Sequence, residues 1–212
     1  MILLFEMFVE SKILWLAEPV GPNSHTGTFF FESLIEAIVF TLLPILIVSK
    51  YYDADLEEIG LTLQSFKRSL LVGIAVGLLL WGVVSIFDVG IRSIWGKGPK
   101  HPYVQMLEMS DASFSYFIVL FDIVLLGPVS EEVYIRGFAY TIFKKRFGKF
   151  ISLILSSLLF TGFHFNIRGA IQIFIASVGL TLLFERTKSL VSVITAHAVM
   201  NLCSLYIGNG KL

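Results

Sequence analysis

Glu131, Glu132 and Arg136 fall within six consecutive residues of the run Leu-Gly-Pro-Val-Ser-Glu-Glu-Val-Tyr-Ile-Arg, from Leu126 to Arg136. On a helix, Glu132 and Arg136 are spaced i,i+4 with the acid first, the favourable order for an ion pair. Glu131 lies about 100° round the same helix, outside that pair, and is the acid left to act as a general base. Two further pairs repeat the i,i+4 spacing: Phe160 with His164, and His197 with Asn201. Each pair shares one helical face.

These residues sit in a chain built for lipid. Of 212 residues, 56% are hydrophobic and 15% charged, and the mean hydropathy is +0.82. Soluble domains carry roughly 25% charged residues. An ionisable group at bilayer depth costs ~2.5–3.5 kcal/mol or more, so three of them together point to function. The net charge is zero with no basic tail, which argues against nucleic acid as a partner. The single Cys203 excludes an internal disulfide, and zinc-finger spacing is missing. The first apolar run carries Glu6, Glu10 and Lys12 and does not read as a secretory signal.

The fold class expected is all-α: a polytopic bundle of about six spanning helices, each of ~20 mostly apolar residues. Residues 1–17 read as an interfacial helix or the remnant of a further span, and 18–28 as a turn-rich loop. Spans are expected at 29–49, with a kink at Pro44, and at 69–87. A polar connection over 88–112 includes a short surface helix at 103–110. The element 113–146 is too long for one straight span and is expected to bend at Gly127-Pro128. Spans 150–166, 169–185 and 189–207 follow. The organisation expected is one integral-membrane unit, with motif-free helices over 1–112 and a core of four spans over 113–212.

Lys50, Lys67, Arg68, Lys144, Lys145, Arg146, Lys149, Arg186 and Lys188 fall on one side of this map. Arg92, Lys97, Lys100, Arg168 and Lys211 fall on the other. The richer side is cytoplasmic by the positive-inside rule, which places loops 50–68, 144–149 and 185–189 there in a cell membrane. Counted from that side at ~1.5 Å per residue, Glu131 lies about 20 Å deep, His164 about 22 Å, His197 about 14 Å and Asn201 about 20 Å. Polar groups in lipid must find one another or water, so helices bearing them should converge on one cavity. The plainer readings are a structural ion pair for Glu132–Arg136 and helix–helix hydrogen bonds for the others, each worth ~0.6 kcal/mol. Those readings require the depths to agree by chance.

Glu131-Glu132-x-x-x-Arg136, Phe160-x-x-x-His164 and His197-x-x-x-Asn201, in that order, resemble the three-motif signature of the CAAX-protease and bacteriocin-processing (CPBP, or Abi) family. This family of intramembrane proteases includes the type II CAAX prenyl endopeptidases. The resemblance covers residues 114–207, and the helices before it match no motif. It implies that Glu131 activates a water, His164 positions it, and His197 and Asn201 stabilise the oxyanion, with Glu132, Arg136 and Phe160 as support. The reaction implied is peptide-bond hydrolysis without an acyl-enzyme; Ser130 reads as a local helix hydrogen-bonder rather than a nucleophile.

Metal dependence stays open at this stage. Glu131, His164 and His197 could form a three-ligand zinc set, but His-Glu-x-x-His is missing and Glu132 is expected on Arg136. A cofactor-free glutamate mechanism is favoured. The partners expected are the bilayer and a peptide or lipidated-protein substrate. Two rivals are a non-enzymatic bacteriocin-immunity or binding protein on the same scaffold, and a transporter using Glu131 as an ion site. Asp122, Gln172 and Asn166 are weaker site candidates, and Gly73-x-x-x-Gly77 reads as intramolecular helix packing.

Overall fold

A computed structural model describes residues 26–51, 55–96, 107 and 113–206. Among them there is no strand. The expectations for residues 1–17, most of 18–28 and most of the short helix at 103–110 lie outside the described residues. Leu107 is described, and packs with Val119 and Ile123.

Helix α1 (Thr26–Tyr51) carries Pro44 in its interior, buried against its neighbours. It starts at Thr26, so residues 26–28 open a helix rather than close the expected loop. A short 3₁₀ turn (Leu56–Ile59) follows, closed by Gly60 at φ 82°, a left-handed conformation that suits glycine. Helix α2 runs Phe66–Trp95, eight residues beyond the expected end at 87. The extension is physical: Asp88 and Arg92 form an i,i+4 ion pair at 2.6 Å, and the helix stops only where Gly96 caps it.

The long element has no break at Gly127-Pro128. Helix α3 (Ser113–Phe121) passes into a π-helical stretch (Asp122–Leu126), then α4 (Gly127–Glu132), a second π-helical stretch (Val133–Tyr140) and α5 (Thr141–Phe163). The chain turns instead within α5 at Gly148, where φ is 76°. Helices α6 (Ala170–Thr187) and α7 (Leu190–Tyr206) complete the fold.

The closest packing joins α2 to α7. A Cβ on Gly73 would lie 2.6 Å from the Ser192 carbonyl, and one on Gly77 2.6 Å from that of Ala196. The two glycines therefore let the backbones meet inside one chain. Val133, Tyr140, Leu180, Phe184, Leu190 and Val193 fill the core between the second π stretch and α5, α6 and α7. By length and composition α1 (over Ser33–Tyr51), α2 and α6 can each cross a bilayer, and α7 is a shorter apolar helix. In α2 only 11% of the most apolar window is buried within the protein. So much exposed apolar surface fits lipid and not water, and the chain is an all-α membrane helix bundle.

Candidate active site

Five elements build the site: α4 and the second π stretch carry Glu131, Glu132 and Arg136, and α5, α6 and α7 close on them. Glu132 and Arg136 are fully buried. The Arg136 guanidinium donates from Nη1 to Glu132 at 2.7 Å, from Nη2 to Ser177 Oγ at 2.8 Å and the Ser177 carbonyl at 3.2 Å, and from Nε to Thr181 Oγ1 at 3.4 Å. A buried guanidinium is tolerable only when its donors are met in this way. Ser177 and Thr181 were not singled out by sequence. The signal was there, because they are i,i+4 on α6 and present two hydroxyls on one face of an apolar helix.

Glu132 has a second partner that the spacing within its own helix could not show. His197 Nδ1 lies 2.7 Å from Glu132 Oε1, across 65 positions of sequence. Nδ1 is the donor, since the carboxylate engaged by Arg136 can only accept. The other ring nitrogen, Nε2, is 3.9 Å from Glu131 Oε2. Glu131 itself is 35% exposed at its side chain, and Oε2 is buried without a hydrogen-bond partner among the described residues. The adjacent glutamates thus differ in kind: one is locked, the other has an uncommitted oxygen.

Phe160 links the remaining groups. Its ring lies 4.6 Å from the Arg136 guanidinium carbon, 4.5 Å from the His164 ring and 5.8 Å from the His197 ring. His164 ends α5 and donates from Nδ1 to the Phe160 carbonyl at 2.9 Å, a bond that fixes which nitrogen carries the proton. Ser130 donates to the Leu126 and Gly127 carbonyls, both at 3.0 Å.

Asn201 is held by the backbone of the first π stretch. Gly127 N–H bonds the Asp122 carbonyl, and the next position in that i→i+5 ladder is Pro128, which has no N–H to give Ile123. Asn201 Nδ2 supplies the donor instead, 2.9 Å from the Ile123 carbonyl. One amide hydrogen is committed there, and a second belongs to the same group. Gln172 and Asn166 are turned to other partners: Gln172 reaches Asp88 at 3.5 Å, and Asn166 accepts from the Gly169 N–H at 2.9 Å. Asp122 is buried at the start of the π stretch.

Among the described residues no three His, Cys, Asp or Glu side chains come together as metal ligands. His197 Nδ1 and the Glu132 carboxylate are engaged with each other.

Residues 113–203 match the family model "Type II CAAX prenyl endopeptidase Rce1-like". A curated relative is the UPF0177 protein YbdJ of Lactococcus lactis subsp. lactis (strain IL1403), 32% identical over 89 residues. That alignment spans 42% of this chain and 38% of the relative. No solved structure matches.

Proposed function

We propose that the protein is an intramembrane endopeptidase in which Glu131 activates water, a reading supported by the match of residues 113–203 to the Rce1-like model of type II CAAX prenyl endopeptidases. The observation that carries this reading is the Glu131 carboxylate, with one unbonded oxygen 3.9 Å from His197 Nε2. That gap is too long for a direct hydrogen bond, but one water at ~2.8 Å can touch both atoms. The substrate class is a membrane-associated peptide or a prenylated protein tail, reached through a six-span bundle whose segments 50–68, 144–149 and 185–189 face the cytoplasm.

In the proposed reaction Glu131 takes a proton from water as the oxygen attacks the scissile carbonyl. His164 helps hold that water. The carbonyl oxygen becomes an oxyanion beside His197 and Asn201. Nδ1–H of His197 is spent on Glu132, so Nε2 donates only in the doubly protonated ring, whose charge the Glu132 carboxylate balances. Asn201 donates its second amide hydrogen. Glu131 then returns its proton to the leaving nitrogen as the C–N bond breaks, giving a carboxylic acid and an amine. Arg136, held by Ser177 and Thr181, keeps Glu132 ionised and in place, and Phe160 spaces the two imidazoles. Preorganised donors in a dry site are worth ~2.7–4 kcal/mol each to such a step.

Glu131→Gln tests the proposal against a prenylated CAAX-type reporter peptide in detergent or vesicles. Cleavage should be lost while the unfolding midpoint stays within about 2 °C of wild type, because among the described residues Glu131 has no hydrogen bond that the amide would break. Retained cleavage in Glu131→Gln would sink the mechanism.

A further inference from the structure

Away from the site, the helix ends formed by α5, α6 and α7 carry a charge arrangement that the proposed chemistry does not use. Glu185, 10% exposed at its side chain, is approached by three ammonium groups: Lys144 and Lys188 at 2.8 Å and Lys149 at 3.8 Å. Tyr140 adds a hydroxyl at 2.7 Å. One carboxylate cannot balance three ammonium charges, so two positive charges remain at this point. The lysines are 36–58% exposed and free to meet a further anion. Burial and the neighbouring Lys144 hold the Lys188 ammonium below its ordinary value, which is how crowded like charges behave.

The excess extends beyond the trio. Among the described residues Arg146 and Arg186 have no carboxylate partner, while Lys145 is paired with Glu58 at 3.1 Å. Arg146 lies instead over the Phe147 ring at 5.5 Å. Directly inward along α5 the chain turns apolar and outward-facing: Phe150 is 78% exposed, followed by Ile151, Leu155 and Leu158. The left-handed turn at Gly148 separates the basic segment from this stripe. A cationic cluster opening onto an exposed apolar helix face matches a molecule with an anionic head and long acyl chains, and a small soluble anion would have no use for the stripe.

We infer that the α5–α6–α7 end is a binding site for an anionic phospholipid, with the phosphate among Lys144, Lys149 and Lys188, the two arginines at its edge and the acyl chains along Phe150, Ile151 and Leu155. Binding here neutralises the two uncompensated charges and ties three helices to one leaflet. Helices α5 and α7 carry His164 and His197, so the site couples leaflet charge to the spacing of the catalytic helices.

The test uses the full chain in detergent, with phosphatidylglycerol or phosphatidylcholine added and retained lipid read by native mass spectrometry. Wild type should keep phosphatidylglycerol in preference. Arg146→Gln with Arg186→Gln removes two cations beside this cluster that lack a carboxylate partner among the described residues, leaves the Glu185 cluster intact, and should weaken retention by about fivefold per arginine. Glu185→Gln should leave retention equal or raised even where its unfolding midpoint falls, an opposition that a merely structural cluster does not give. Equal retention of both lipids, or an unchanged preference in the arginine variant, overturns the inference. So does an equal shift in unfolding midpoint with inorganic phosphate alone, which would make the site one for a soluble anion. Since no readout is peptide cleavage, failure here is separate from failure of the protease reading.

Discussion

If the proposed mechanism holds, the Glu132–Arg136 pair serves both stability and catalysis, and a double-mutant cycle separates the two. Both side chains are fully buried, so removing either partner strands a charge. Arg136→Met leaves Glu132 with His197 alone; Glu132→Gln leaves the guanidinium facing Ser177, Thr181 and a neutral amide. Each single change should cost about 3–5 kcal/mol. At ~2–4 °C per kcal/mol for a chain of this size, that lowers the unfolding midpoint by roughly 6–20 °C. The double variant carries neither charge, and its amide oxygen still accepts the His197 Nδ1–H. Most of the lost stability should therefore return; with the double variant only ~1–2 kcal/mol below wild type, the coupling is roughly 4–9 kcal/mol, above the ~0.5–3 kcal/mol usual for residues in contact. Activity should not return with it. Without the Glu132 charge a protonated His197 loses its hydrogen-bonded counter-ion, and cleavage should remain down by roughly 10²-fold, the scale for losing one oxyanion donor. Unfolding midpoints of the four proteins and cleavage of the reporter peptide provide the readouts. Coupling below ~0.5 kcal/mol would show that the two residues do not act as a pair. A fully active double variant would show that the Glu132 charge does nothing for His197.

Ser177→Ala removes the shortest acceptor from Arg136 Nη2 and should cost about 1.5–3 kcal/mol, read as a lower unfolding midpoint with Ser177→Thr partly restoring it. Gly77→Val would drive a side chain into the Ala196 carbonyl and push α7 outward, costing about 1–3 kcal/mol and lowering cleavage because His197 follows Ala196 directly. Chelation with 1,10-phenanthroline should leave cleavage unchanged. Activity lost to the chelator and restored by zinc would overturn the metal-independent route.

Much of this was legible where the physics is local. Composition marks lipid as the solvent, i,i+4 spacing pairs Glu132 with Arg136, and Gly73-x-x-x-Gly77 predicts the close helix contact that α2 makes with α7. Misreadings came where a local signal was overridden. The hydropathy of α2 falls at Asp88, but the Asp88–Arg92 pair keeps the backbone helical to Trp95. Gly127-Pro128 looks like a bend, but a helix can accept a proline by shifting to i→i+5 bonding, and the real turn is at Gly148. Partners in different helices had no local signal at all. The Glu132–His197 bond joins residues 65 apart, and nothing in either helix's own spacing requires it.

The proline does more than interrupt a ladder. Because Pro128 cannot donate, the Ile123 carbonyl must find a donor elsewhere, and an unmet buried carbonyl costs about 1–3 kcal/mol. Asn201 answers from α7, one helical turn beyond His197. A hydrogen bond created by the missing N–H therefore fixes α7 against the element that carries Glu131, and so bears on the 3.9 Å between Glu131 and His197. This makes a specific claim. Asn201→Ala should cost about 1–3 kcal/mol by orphaning the carbonyl, and adding Pro128→Ala should recover most of it by returning an N–H to the helix. Unfolding midpoints of the single and double variants decide the matter. If Pro128→Ala rescues nothing, the carbonyl is not what Asn201 is there to meet. If it rescues stability and leaves cleavage low, the second amide hydrogen of Asn201 is the one that serves the reaction.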